Sequence, residues 1–109
     1  MTSTPVAYIS IGNSDDKLTQ REWADFVWRV ALAVQEASEY AGGGVHGQWM
    51  SLPADSWQNA CWALQLPADP APVDRLRAIL AGLAAEFRQD SIAWALAPTT
   101  EFLNPPPRS

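Results

Sequence analysis

Cysteine and histidine each occur once in this chain of 109 residues, as Cys61 and His46. A single cysteine excludes an internal disulfide, and with a single histidine it excludes the usual Cys/His zinc sites. Reducing surroundings are the default reading, and a cytoplasmic location is expected. Basic residues are also scarce, seven against twelve acidic ones, for a net charge of −5. A sequence-independent grip on nucleic acid needs a basic face that displaces counterions from phosphates. Here only Arg75, Arg77 and Arg88 cluster, on one segment with Asp74 and Glu86, so no nucleic-acid partner is expected. No apolar run approaches the ~20 residues of a membrane span, and no charged start precedes an apolar stretch, so neither membrane nor secretory leader is expected. Gly-x-Ser-x-Gly elbows, Walker loops and dinucleotide fingerprints are absent too. No catalytic residue, metal ligand or cofactor is therefore assigned.

What the chain does have is tryptophan, six copies, which supplies large apolar plates to a small core. Residues 1–103 are expected to form a single α+β domain, long enough to bury about 60–70% of its unfolded surface. Residues 104–109, with three consecutive prolines, read as a polyproline-like or disordered tail. The best-specified stretch runs from Ile11 to Trp23. Thr19 and Glu22, three apart, form a capping box at a helix start, and Leu18 with Trp23 makes the hydrophobic staple that sets the angle of the helix.

In chain order, Val6–Ile11 is a strand bounded by Pro5 and Gly12, with apolar residues at both parities as a central strand requires. A helix follows from about Gln20 to Ser38, with Trp23, Phe26, Val27, Val30, Val34 and Ala37 on its core face. Trp28 and Leu32 lie four apart on the opposite side, covered by a loop or tail, or else left as a partner contact. Gly42, Gly43 and Gly44 close the helix. Residues 45–52 alternate imperfectly and read as a second strand, a turn follows, and 57–66 is a third strand with Ala60, Trp62, Leu64 and Leu66 on one face. After the prolines at 67, 70 and 72 a second helix runs to about Arg88, with Val73, Leu76, Ile79, Leu80, Leu83 and Phe87 as its stripe. Residues 92–97 form the fourth strand.

Strand, helix, strand, strand, helix, strand is the ferredoxin-like split βαβ arrangement (βαββαβ), a four-stranded antiparallel sheet with both helices on one face. The spatial strand order is then fourth, first, third, second. One rim gathers Asn13, Ser14, Asp15, Asp16 and Lys17, residues 55–58 including Gln58, and Arg88, Gln89, Asp90 and Ser91. This rim is a candidate binding site. Its plain reading is a solvated turn with acids favoured at a helix N-terminus and a salt bridge at the helix exit. Its chemical reading is an oxygen-rich site for a hard cation from Asp15, Asp16 and Asp90, with Arg88 or Lys17 toward a phosphate, as in a Mg-dependent phosphoester-processing enzyme. His46 falls toward the opposite rim. The second candidate surface is the sheet face without helices, where Tyr8, one of Trp49 or Met50, Trp57, and Asn59 or Cys61 are expected.

The stretches Tyr8–Thr19, Trp57–Trp62 and Phe87–Trp94 resemble those of small uncharacterised proteins of high-GC actinobacteria and their phages, a resemblance that covers most of residues 6–103. It implies a cytoplasmic single-domain protein and no particular activity; a phage source would imply action on a host protein. The preferred reading is a non-catalytic protein-interaction or ligand-binding module. It would associate with a protein partner or as a homodimer through Tyr8, Trp28, Leu32, Trp49 and Trp57.

Overall fold

β1 (Val6–Gly12) holds apolar side chains at both parities, Ala7, Ile9 and Ile11 on one side of the sheet and Val6 on the other, all of them buried. In the computed structural model, which describes residues 5–13, 17–40, 42–52, 55 and 57–107, it lies between β3 (Asn59–Gln65) and β4 (Ala93–Ala97), antiparallel to both. β2 (Gly44–Met50) pairs with the far side of β3, so the order across the sheet is β2-β3-β1-β4. With α1 (Gln20–Ser38) and α2 (Pro70–Glu86) this is the ferredoxin-like βαββαβ order expected from the pattern.

α1 starts where the capping box places it. The Thr19 hydroxyl accepts from the Glu22 backbone N–H at 3.1 Å, and the Thr19 N–H donates to the Glu22 carboxylate at 3.0 Å. Its inner stripe, Trp23, Phe26, Val27, Val30, Ala33, Val34 and Ala37, is buried. α2 begins two residues before the expected Pro72, because Asp69 caps it by accepting from the Ala71 N–H at 3.0 Å. Pro70 fits the first helical position, where a missing N–H leaves no bond unmade. Leu76, Leu80 and Leu83 join the core that α1 builds against Ala7, Ile9, Ile11, Trp62 and Leu64. Phe26 stacks on Phe87 with ring centroids 4.8 Å apart, which locks α1 to the end of α2. Outside this contact Arg29 pairs with Glu86 at 2.7 Å.

Two departures from simple alternation shape the sheet. In β2 the pairing passes from Val45–Leu64 to Gly47–Ala63, leaving His46 as an extra, exposed residue in a β-bulge. This is why residues 45–52 alternate imperfectly. β3 starts at Asn59 instead of Trp57 because Gln58 turns inward and is buried, its carbonyl accepting from the Asn13 N–H at 2.8 Å. Among the described residues, no helix is long and apolar enough to cross a membrane.

Candidate functional site

The rim segments do meet. β1 ends with Gly12 opposite Asn59 at the start of β3, and α2 delivers its exit to the same end. Asn13 and Gln58 are buried there and saturate each other. The Asn13 amide donates to Gln58 Oε1 at 3.0 Å and to the Leu18 carbonyl at 3.1 Å, while its oxygen accepts from the Leu18 N–H at 3.0 Å. Gln58 and Gln20 exchange a further pair of amide hydrogen bonds at 2.8 and 3.2 Å. Every polar atom committed to this lattice is unavailable to a ligand, so Asn13 and Gln58 serve to brace the corner between β1 and α1.

The described charged rim residues Lys17, Arg88 and Asp90 are exposed and paired. Lys17 lies 3.8 Å from Asp90 and 3.5 Å from the Arg88 carbonyl, and the Arg88 guanidinium meets Glu22 at 2.7 Å. The backbone N–H of Thr19, with Arg88 second, holds the Glu22 carboxyl below its ordinary value. A lowered folded-state pKa means that this stabilisation is present at neutral pH and fades as pH falls through the lowered value. Gln89 turns back to the Phe87 carbonyl at 3.0 Å. Ser14, Asp15 and Asp16 lie outside the described residues, and among the described residues no three His, Cys, Asp or Glu side chains are grouped to hold a metal ion.

Arg88 also carries the left-handed backbone that ends α2, with φ of 57°. Its N–H donates to the Ala85 carbonyl at 3.2 Å and that of Gln89 to the Ala84 carbonyl at 2.8 Å, the Schellman pattern usually closed by glycine. A Cβ in that conformation costs about 1 kcal/mol. Arg88→Gly and Arg88→Ala both lose the Glu22 pair, so urea denaturation is expected to find the glycine variant about 1 kcal/mol more stable than the alanine one. Coincident midpoints would show that the left-handed cap carries no such cost.

The other surface is built by register. Pairing puts Val6, Tyr8 and Ser10 of β1 on the face turned away from the helices, together with Asn59, Cys61, Ala63 and Gln65 of β3. β4 adds Ala93, Ala95 and Ala97, and β2 adds Gly44, Gly47 and Trp49. No residue of this face carries a charge, on a chain that has nineteen charged side chains, seven basic and twelve acidic. Tyr8 is 42% exposed and Trp49 55%, while Ala63 between their strands is 3% exposed. The Trp49 ring folds back over Gly47, where a Cβ would come within 2.9 Å of Cη2. Of the alternatives left open by alternation, Trp49 and both Asn59 and Cys61 take this face. Met50 points to the helix side, beside Trp23 and Val27. Trp57, just before β3, is exposed, as are Trp28 and Leu32 on the outer side of α1.

Alternation along β3 already puts Ala63 beside Asn59, Cys61 and Gln65, but sequence reading missed Gly47 and the alanines of β4 as parts of the same surface. The signal was there in the alternation of small residues with Trp94 and Leu96, and in the Gly47-x-Trp49 spacing, but only pairing aligns it.

No family model matches this chain, and no curated protein does. Among solved structures, the C-terminal domain of the MgtC protein from Mycobacterium tuberculosis superimposes with a TM-score of 0.53, covering 88% of this chain and 90% of that domain at 11% sequence identity. The likeness is one of fold. At that identity the shared framework says how the strands and helices are arranged, and side chains must speak for the surfaces.

Proposed function

We propose that this chain is a non-catalytic interaction module that self-associates through the uncharged face of its sheet. The observation that carries this reading is the combination of two half-exposed aromatic rings, Tyr8 and Trp49, with a surround of small and uncharged residues. Removing such a face from water needs no charge to be desolvated, whereas almost any other contact between two copies of a −5 chain brings acids together. Aromatic residues on an antiparallel sheet can also stack nucleobases, but such sites rely on cations for the phosphates. Arg75 and Arg77 lie instead on α2, over the rings of Tyr40 and Trp94 at 6.0 and 5.3 Å. This favours a protein partner over nucleic acid.

The exposed Trp28 and Leu32 on α1 support a second, separate contact, with a different protein; a phage-derived module acting on a host protein would use that side. Sedimentation equilibrium tests the main reading. The wild-type chain is expected to dimerise at low micromolar concentration, and Trp49→Lys to weaken the dimer by about 2 kcal/mol, roughly 30-fold. Trp28→Lys is expected to leave self-association unchanged. A wild-type chain that stays monomeric at high micromolar concentration would refute the proposal, and dimer loss in Trp28→Lys alone would move the contact to α1.

A further inference from the structure

We infer that the outer edge of β4 is a further contact between copies of this chain, in which two β4 strands pair antiparallel about a twofold axis through Ala95. The two edges of the sheet differ. β2 is guarded, because the bulge at His46 bends its backbone and Gly44 and Gly47 weaken it as a template. β4 pairs with β1 from Ala93 to Ala97 without a register shift and holds no charge, proline or glycine. Short as it is, it lacks the bulge, charge or proline that keeps an edge from pairing with another chain. Among the described residues no strand pairs with its outer side.

The pattern of the strand selects a second copy as its mate. Trp94 and Leu96 lie on the helix side, opposite Ile9 and Ala7 of β1, and the three alanines lie on the open face. Residues directly opposed in an antiparallel pair point to the same side, so a twofold pairing has to be centred on a residue. Centring on Ala95 keeps all five residues paired, Ala93 with Ala97 and Trp94 with Leu96 of the second copy. Leu96 is 54% exposed, whereas Trp94 packs against the core. Next to Trp94 a groove of about 340 Å³ opens at the sheet edge, lined also by Leu80, Ala81 and Ala84 of α2 and by Ile92. The register brings the Leu96 of each copy to the mouth of the other's groove, against Trp94, as a cross-strand aromatic–aliphatic pair. Charge fits the same axis. Asp74 and Arg77 sit one turn apart on α2, and neither is in an ion pair among the described residues. Arg77 lies over the Trp94 ring at 5.3 Å. Because α2 runs opposite to β4, one strand residue on from Trp94 corresponds to about two helical residues back from Arg77, which puts the axis between Arg77 and Asp74. Each Asp74 then faces the Arg77 of the second copy. This contact is separate from the open face: edge pairing lays two such faces side by side, and both contacts together close a tetramer of dihedral symmetry.

Cross-linking of the full-length chain tests the register. With Cys61→Ala removing the native thiol, Ala95→Cys sets residue 95 against its own copy, with Cβ atoms about 4.5–5.5 Å apart and close to disulfide reach. Oxidation at high micromolar concentration is expected to give a covalent dimer, and the cross-link is expected to persist when Trp49→Lys is added. Ala93→Cys in the Cys61→Ala chain is expected to give almost none, since its two copies lie about 13 Å apart along the strands. In sedimentation equilibrium of the Trp49→Lys chain, adding Leu96→Lys is expected to weaken the remaining association at least ten-fold while leaving the melting temperature unchanged, because Leu96 is exposed. A cross-link that disappears with Trp49→Lys would mean that the faces meet and the edges do not, and equal yields at positions 93 and 95 would mean random collision; either result overturns the edge contact. If the Trp49→Lys chain is monomeric at high micromolar concentration, the edge contact falls and the sheet-face reading stands. If Trp49→Lys changes nothing and Leu96→Lys abolishes all association, the edge is the contact and the sheet-face reading falls.

Discussion

Trp62→Ala is expected to cost about 3–5 kcal/mol of folding stability, the largest loss from any single truncation in this chain. Trp62 is 1% exposed at the centre of β3, opposite Ile9 of β1 and Gln48 of β2 on the helix side. No other fully buried side chain is larger, so its removal leaves a cavity that α1 cannot collapse into without breaking its contacts with α2. Domains of this size hold about 5–15 kcal/mol in all, so the variant should unfold at a much lower urea concentration. Its indole N–H, however, has no hydrogen-bond partner among the described residues, and a buried unmet donor costs about 1–3 kcal/mol. Trp62→Phe keeps most of the ring and discards that donor, so its net loss is expected to stay under about 1.5 kcal/mol. A loss in Trp62→Phe well above about 1.5 kcal/mol would show that the indole nitrogen is hydrogen-bonded after all.

Asn13→Ala is expected to destabilise by about 2–3 kcal/mol, although it removes only a small polar side chain. The substitution strands the Leu18 N–H and carbonyl and takes one donor from Gln58, all within a buried corner. Asn13→Asp should be worse still at neutral pH, because a carboxylate would face two acceptors, the Leu18 carbonyl and Gln58 Oε1, that the amide now satisfies as a donor. Thermal melts of the two variants beside wild type measure this. A loss of under about 0.5 kcal/mol in Asn13→Ala would mean that water replaces the amide and that the corner is more open than its packing indicates.

These two residues differ in how far the sequence announces them. Trp62 lies on the apolar parity of an alternating strand, so its place in the core can be read from spacing alone. Asn13 looks like an ordinary turn residue beside Ser14, Asp15 and Asp16. Its burial depends on Gln58, forty-five positions away, and no local pattern couples the two. The same holds for the open face. Alternation leaves Trp49 and Met50 equally eligible, and the bulge at His46, together with pairing to β3, decides between them.

By itself the sequence determined the helices, the capping box of α1, the parity of β3 and, through the order of elements and the handedness of crossovers, the arrangement of the strands. Those are consequences of short-range periodicity and chain chirality, which act on neighbouring residues. Only the tertiary structure decided that Asn13 and Gln58 brace each other, that Arg88 caps α2 in a left-handed conformation, and that four strands combine their uncharged positions into one surface. Each of these depends on the register in which distant backbones hydrogen-bond, and a one-residue change in register would turn the same side chains to the other face.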